Sequence, residues 1–106
     1  MTQSRREKIE ALLRDDPGDV FLRYSLALEL EQAGDWEAAL EMLETLGREQ
    51  PPYVPALQMA GQFLAARGRV EESRRALREG IEAARAQGNQ HAAGEMAELL
   101  MSLGSG

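Results

Sequence analysis

Apolar residues recur three and four positions apart along almost the whole chain, the spacing that places them on one face of an α-helix. Proline and glycine interrupt this pattern at intervals. The pattern predicts six helices and no strand. Five of the helices cover about residues 4–14, 20–32, 36–48, 70–86 and 89–103, and another has Pro55 in its first turn and ends near residue 66.

Local signals mark the ends of these helices. Asp19 and Asp35 each precede a predicted helix, where an aspartate side chain can accept a hydrogen bond from a free backbone N–H. Gly34 follows a predicted helix, where the left-handed backbone conformation favours glycine. We therefore expect Asp19 and Asp35 to cap the two helices that begin after them.

The helices are organised as a repeat. A step of 34 residues joins positions of the same type, taking Pro17 to Pro51, Val20 to Val54, Leu30 to Leu64, Gly34 to Gly68 and Leu43 to Leu77. The step also keeps small residues small, taking Ala27 to Gly61 and Ala39 to Ser73. Such residues let two helices approach closely, and a bulky residue in their place would cost about 1–3 kcal/mol.

These matches predict the domain organisation. We expect a single domain over residues 1–106, composed of a half repeat at 4–16, repeats at 17–50 and 51–86, and a capping helix at 89–103. Each repeat would be a pair of helices, and the terminal helices would cover the faces that the inner helices leave open.

Composition narrows the possible functions. The chain has 106 residues, 12 of them basic and 18 acidic, and a net charge of −6. Phosphates would be repelled, so we expect no nucleic acid and no membrane partner. No apolar run reaches the roughly 18 residues of a transmembrane helix. The absence of cysteine excludes a disulfide scaffold and a thiolate metal site, and it fits a cytoplasmic location.

Candidate catalytic chemistry is confined to the last helix. His91, Glu95 and Glu98 share one stripe there, which could hold an imidazole and two carboxylates together. A metal site needs more ligands and partners that orient them. We therefore expect no catalytic residue, no cofactor and no metal, and we interpret the stripe as a solvated helix face. A metal-dependent or acid-dependent hydrolase is the enzyme-class alternative.

The basic residues of the second half are interleaved with glutamates. Opposite charges four residues apart predict ion pairs of Arg75 with Glu71 and Glu79, and of Arg78 with Glu82. We expect these residues, together with Arg74, to form an exposed, salt-linked outer face. The alternative is a docking patch for an acidic partner.

The repeat resembles the tetratricopeptide repeat family. The residues that match its pattern are Leu26, Ala27, Leu30, Gly34, Ala39, Leu43 and Pro51 in the first unit and Leu57, Ala60, Gly61, Leu64, Gly68, Ser73 and Leu77 in the second. Arg23 departs from the pattern, because a large apolar residue is expected there. The resemblance implies an all-α fold in which antiparallel helix pairs stack as a short right-handed solenoid.

The resemblance also implies a binding surface. In this family the first helix of each repeat lines a concave groove that takes extended peptides or partner helices. The positions implied here are Phe21, Tyr24, Ser25, Leu28, Glu31, Gln58, Met59, Gln62, His91 and Glu95. Chaperone-binding members clamp a carboxylate with Lys, Arg and Asn. This set lacks those residue types, which disfavours that function.

We therefore expect a non-catalytic protein–protein interaction module. Its groove would bind a peptide or helix of a partner that is neutral or basic rather than acidic, because the chain itself is acidic. The alternative is a self-associating structural unit whose apolar groove forms a homodimer.

Overall fold

The computed structural model describes residues 3–104, which form six α-helices and no strand. The helices are α1 (Arg5–Asp15), α2 (Val20–Gln32), α3 (Trp36–Gly47), α4 (Val54–Ala66), α5 (Val70–Ala86) and α6 (Gln90–Ser102). Each packs mainly against its neighbours in the chain, so the molecule is elongated and measures 50 × 29 × 19 Å. The all-α prediction is confirmed. The division into repeats stays a prediction, and residues 1, 2, 105 and 106 of the predicted domain lie outside the described range.

The helix ends show which predicted caps form. The N–H of Leu22 donates to the Asp19 carboxylate at 2.9 Å, as predicted. The Asp35 cap is wrong, because its side chain makes no capping hydrogen bond. The N–H of Asp35 instead donates to the carbonyl of Leu30, in a turn where Gly34 has a φ of +91°. Asn89 has similar backbone angles after the equivalent turn at Gly88, yet its side chain accepts a hydrogen bond from the N–H of Ala92 at 3.1 Å. The missing cap at Asp35 is therefore a matter of its side-chain conformation and not of the turn.

Small residues lie where the two helices of a pair meet. Ala27 of α2 and Ala39 of α3 are fully buried in the first pair. In the second pair the hydroxyl of Ser73 donates to the carbonyl of Gly61 at 2.7 Å. A Cβ atom at Gly61 would lie only 2.5 Å from Leu77 Cδ2. The two backbones therefore approach as closely as the small-residue pattern predicts.

The core consists of two clusters that meet at α4. One cluster joins α2, α3 and α4 through Ala27, Leu40, Leu43, Leu46, Ala56, Ala60 and Leu64. The other joins α4, α5 and α6 through Val54, Leu57, Leu77, Ile81, Ala83, Ala84, Ala92, Ala93 and Met96. Leu99 and Leu100 of α6, and Leu103 directly after it, pack against the second cluster. The last helix therefore covers the apolar side of α5.

The basic stretch differs from its prediction. Arg74 is only 5% exposed, so it is not part of an outer face. Its guanidinium pairs with Glu71 and donates to the carbonyls of Leu103 at 3.1 Å and Gly104 at 2.8 Å, which ties α5 to the end of α6. Arg69 pairs with Glu72 three residues on. The predicted pairs of Arg75 and Arg78, four residues apart, are wrong, since no such contact occurs between these described side chains.

Candidate functional site

The first helices of the predicted repeats meet along one side of the molecule. Gln58 of α4 donates a hydrogen bond to Glu95 of α6 at 3.3 Å. Tyr24 of α2 contacts Tyr53, which lies in the turn directly before α4. We call the ten residues that the sequence predicts as a binding surface the groove set. The groove set contains an apolar group, which includes Tyr24, and a polar group, which includes Gln58 and Glu95.

The apolar group lies on α2 and α4, and Tyr53 in the turn before α4 adjoins it. Phe21 is 62% exposed, whereas Tyr24, Leu28 and Met59 are half-buried. The rings of Tyr24 and Tyr53 meet edge to face, with centroids 5.6 Å apart and planes at 62°. Such aromatic pairs are stabilising beyond the area they bury. The pair therefore forms a preorganised, half-open aromatic surface beside Phe21.

The two tyrosines carry no charge at neutral pH. Burial raises the pKa of Tyr24 above its ordinary value, and the neighbouring Tyr53 raises it further. Burial also raises the pKa of Tyr53, with a smaller contribution from the negative charge of Asp19. Tyrosine is protonated at neutral pH even at its ordinary pKa, so both hydroxyl groups can donate hydrogen bonds there.

The polar group lies where α4 meets α6. Glu95 accepts the hydrogen bond from Gln58, and its carboxylate lies 3.6 Å from Nε2 of His91. Gln62 is exposed nearby. A cleft of about 410 Å³ opens here, lined by Gln58, Gln62, Glu95, Met96, Glu98 and Leu99. The cleft offers amide donors and carboxylates to a ligand, above the buried thioether of Met96.

The remaining members of the groove set are less accessible. Ser25 is buried, so its hydroxyl does not face a ligand in this structure. Glu31 is half-buried in the last turn of α2. Across residues 3–104, no three His, Cys, Asp or Glu side chains are grouped to hold a metal ion.

Sequence reasoning missed Tyr53. The 34-residue step places it opposite Asp19, which caps the preceding repeat, and Tyr53 makes no capping bond with its side chain. Its backbone N–H donates to the carbonyl of Leu46 at 3.1 Å, which fixes the turn and brings the ring to Tyr24. The sequence did contain a signal for Tyr53. It is an aromatic residue at the position where the previous repeat has an N-capping aspartate.

Two solved structures resemble the whole fold. Protein BPP2914 from Bordetella parapertussis has a TM-score of 0.78 and 27% identity, over 96% of this chain and 89% of that one. A tetratricopeptide repeat domain protein from Salinibacter ruber also has a TM-score of 0.78, with 29% identity over 84% of this chain and 90% of that one. Among the helices of residues 3–104, none is long and apolar enough to cross a membrane.

Sequence comparison agrees with this structural likeness. The TPR repeat-containing protein PA0015 of Pseudomonas aeruginosa is 29% identical over 97 residues, which is 92% of each chain. A family model described as tetratricopeptide repeat matches residues 30–92, more than half of the chain. Proteins with this fold are in general protein–protein interaction modules and non-catalytic scaffolds. The chain belongs to the tetratricopeptide repeat family.

Proposed function

We propose that the protein is a non-catalytic interaction module whose groove set binds an extended or helical segment of a partner protein. The observation that carries this proposal is Phe21, a large apolar side chain that is 62% exposed beside the Tyr24–Tyr53 pair. Contiguous exposed apolar patches often mark interaction sites, whereas apolar residues exposed singly are common. The partner would bury Phe21 and close over the two tyrosines.

The spacing of the apolar side chains suits a linear ligand. Phe21 and Tyr24 lie three residues apart on α2, and Leu28 lies four residues beyond Tyr24, so the three follow one face of the helix. Met59 of α4 adds a flexible apolar contact that can adapt to different side chains. Aromatic residues of this kind commonly dominate binding energy, each accounting for about 2 kcal/mol or more.

The charge of the site favours a neutral or basic partner. Glu95 and Glu98 line the cleft between α4 and α6, and Gln58 and Gln62 lie beside them. Amides can hydrogen-bond a peptide backbone without requiring a charge, whereas the carboxylates would attract lysine or arginine and repel acidic side chains. The expected ligand therefore combines an apolar anchor for α2 with a basic or neutral stretch for α6.

Selection from a displayed library of short random peptides would test this proposal. We expect enriched peptides to contain an apolar anchor and no acidic run, and to lose most of their affinity for Phe21→Ala and Tyr24→Ala variants that keep normal helicity. Leu12→Ala is the matched control, because Leu12 is also an exposed large apolar residue but lies on α1. Equal loss in Phe21→Ala and Leu12→Ala, or no loss in either groove variant, would contradict the proposal.

A homodimer formed through the groove set is the second candidate. It rests on the same exposed Phe21 and half-buried Tyr24, which a second copy could cover. This candidate predicts a particle of two copies that Phe21→Ala converts to monomers. The cytoplasmic location and the exclusion of nucleic acid as a partner stay predictions from composition.

A further inference from the structure

Trp36, the only tryptophan of the chain, lies outside the groove set and contacts two arginines. It is the first residue of α3, and its half-buried side chain packs against the first core cluster. The guanidinium carbon of Arg67 lies 4.7 Å from the centroid of the Trp36 ring, and that of Arg69 lies 5.4 Å from it. Within residues 3–104, no other arginine lies over an aromatic ring. We call Trp36, Arg67 and Arg69 the tryptophan–arginine cluster.

The repeat does not require these side chains for its own folding. Between α4 and α5 the chain turns at Gly68, whose φ of +76° favours glycine. The equivalent turn between α2 and α3 forms with Ala33 and Asp35 at the positions of the two arginines, 34 residues earlier. In the same way, α5 begins with Val70 where α3 begins with Trp36. The geometry of the turns therefore does not account for the cluster.

The indole ring holds both guanidinium groups in place. A cation over the face of tryptophan is attracted by the ring, and this ring is fixed because it packs on the core. Arg67 is exposed, and within residues 3–104 it forms no ion pair with a carboxylate. Its N–H groups are therefore both positioned by the ring and available to a ligand.

The charge of the cluster is only partly compensated. Glu72 accepts hydrogen bonds from Nε and Nη2 of Arg69, each at 2.8 Å. This pair is exposed, so it contributes little stability and can be exchanged for another anion. Asp35 and Glu37 are the sequence neighbours of Trp36, but neither pairs with Arg67 or Arg69. Two like charges beside one ring repel each other, and a further anionic group would relieve that repulsion.

We propose that the tryptophan–arginine cluster binds the carboxylate groups of an acidic segment in a partner protein. A planar guanidinium can donate two parallel hydrogen bonds to one carboxylate. The net charge of −6 opposes nucleic acids and anionic membranes, whose negative charge extends far beyond two arginines, whereas a short acidic segment contacts the cluster alone. The proposal does not depend on ligand binding by the groove set.

The physical form of the site determines how binding should behave. Both arginines are exposed, so their attraction for carboxylates is screened by salt. The affinity should therefore be modest at low ionic strength and should fall as sodium chloride is added. Loss of one guanidinium should weaken binding about tenfold, because hydrogen bonds between charged groups are stronger than those between neutral groups.

Fluorescence of Trp36 would test this proposal directly, because the chain has no other tryptophan. The probe is a short synthetic peptide rich in glutamate, and the control peptide has glutamine in place of every glutamate. We expect the glutamate peptide to change the emission with saturation, since a bound carboxylate alters the electric field at the ring, and the glutamine peptide to have no effect. Arg67→Gln and Arg69→Gln should each show the tenfold loss of affinity.

Matched variants separate the cluster from the general charge of the protein. Arg78→Gln is the control for the arginine variants, because Arg78 is exposed on α5 and contacts no aromatic ring of the described residues. It should leave the affinity nearly unchanged. Glu72→Gln removes the competing carboxylate and should tighten binding, whereas Glu82→Gln makes the same change in net charge and should not. Arg67→Lys keeps the charge but loses the paired donors, so it should bind less tightly than the wild type.

The outcomes that would overturn the proposal are distinct from those that concern the groove. They are a glutamate peptide that does not bind at about 1 mM, equal losses in Arg67→Gln and Arg78→Gln, and a single-stranded oligonucleotide that binds more tightly than the peptide. Circular dichroism would confirm that each variant folds, and Arg67→Lys replaces Arg67→Gln if helicity is lost. Phe21→Ala should bind the glutamate peptide like the wild type, and a loss there would assign the peptide to the groove set instead.

Discussion

The two helix pairs, α2 with α3 and α4 with α5, follow one pattern but differ in burial. In α2 the buried residues are Ser25, Ala27 and Leu30. In α4 they are Val54, Ala56, Leu57, Ala60, Gly61 and Leu64. The helix α4 lies in the middle of the molecule, between α3 and α6, whereas α2 has only the short α1 on its outer side. Burial is therefore determined by the neighbours of a repeat as much as by its own residues.

The pairs also use different chemistry at equivalent positions. The first pair meets through two alanines, Ala27 and Ala39, and the second through a hydrogen bond from Ser73 to Gly61. Leu40 packs in the first core cluster, whereas Arg74, 34 residues later, hydrogen-bonds the end of α6. The same backbone geometry therefore accepts either an apolar or a polar contact, provided that every buried donor has an acceptor.

Removing an end helix should have the largest effect on stability, and the two ends of the molecule should differ in this effect. Deletion of residues 89–106 removes Ala92, Ala93 and Met96 from the second core cluster and uncovers Ile81 and Leu77. We expect aggregation or loss of the cooperative thermal transition. Deletion of residues 1–16 should be much milder, because Ile9 is the one buried residue of α1. Circular dichroism would compare the thermal unfolding of the two truncated chains. Equal melting would show that the greater burial of α6 residues does not make that end more important for stability.

The next largest effect should come from placing a large side chain where the two helices of a pair approach closely. Gly61→Leu should lower the free energy of unfolding by about 1–3 kcal/mol, because its Cβ alone would lie 2.5 Å from Leu77 Cδ2. Ala27→Leu should cost a similar amount in the first pair. Gly94→Ala is the control, since a Cβ there meets no atom within 4 Å. That change should stabilise the helix by about 0.5–1 kcal/mol. Urea unfolding would measure the free energy of unfolding of all three variants. An unchanged value for Gly61→Leu would refute the close approach of α4 and α5.

Arg74→Leu converts the second pair to the chemistry of the first. The change leaves the carbonyls of Leu103 and Gly104 without the donors that Arg74 provides, and removes the pair with Glu71. We expect a loss of about 1.5–3 kcal/mol, since hydrogen bonds from charged groups are the stronger kind. Hydrogen exchange should rise at the C-terminal end of α6. The exposed neighbour Arg75→Leu should change stability by less than about 0.5 kcal/mol.

The smallest effect concerns the start of α1. Hydrogen bonds from the Ser4 backbone N–H and then from its hydroxyl lower the pKa of Glu7. A lowered pKa in the folded state means that the capping contribution is complete above the unfolded pKa and is lost as the pH falls through the folded one. Hydrogen exchange in α1 should therefore distinguish wild type from Glu7→Gln at neutral pH but not in acid. A difference that persists in acid would assign the effect to something other than the Glu7 charge.

The positions of the helices could be predicted from sequence because their signals are local. The predicted bounds of α2 and α5 are those observed, and the other predicted helix ends lie within one residue of them. Caps and glycines such as Asp19 and Gly34 act within a single turn of their helix, so no knowledge of distant residues is required. Asp35 is the exception, because its side chain makes no capping hydrogen bond, whereas Asn89 after an equivalent glycine turn does.

The candidate site was predictable only in part. Phe21 and Tyr24 follow from the resemblance to the repeat family, but Tyr53 enters the surface because the turn before α4 folds against α2. Ser25 belongs to the predicted groove set, yet its side chain is buried. Spacing along one helix indicates a face, but it does not indicate how far the neighbouring helix covers that face.

By itself the sequence determined six helices, their ends and the small residues at which pairs meet, because caps, turns and helical periodicity act over a few residues. Only the tertiary structure decided that Arg74 points inward to α6, that Tyr53 joins Tyr24, and that Leu12 and Met101 are left exposed. Each of these depends on which helix lies beside which, and on where the described stack of helices begins and ends. Burial is a property of packed neighbours, so the pattern within a single helix cannot specify it.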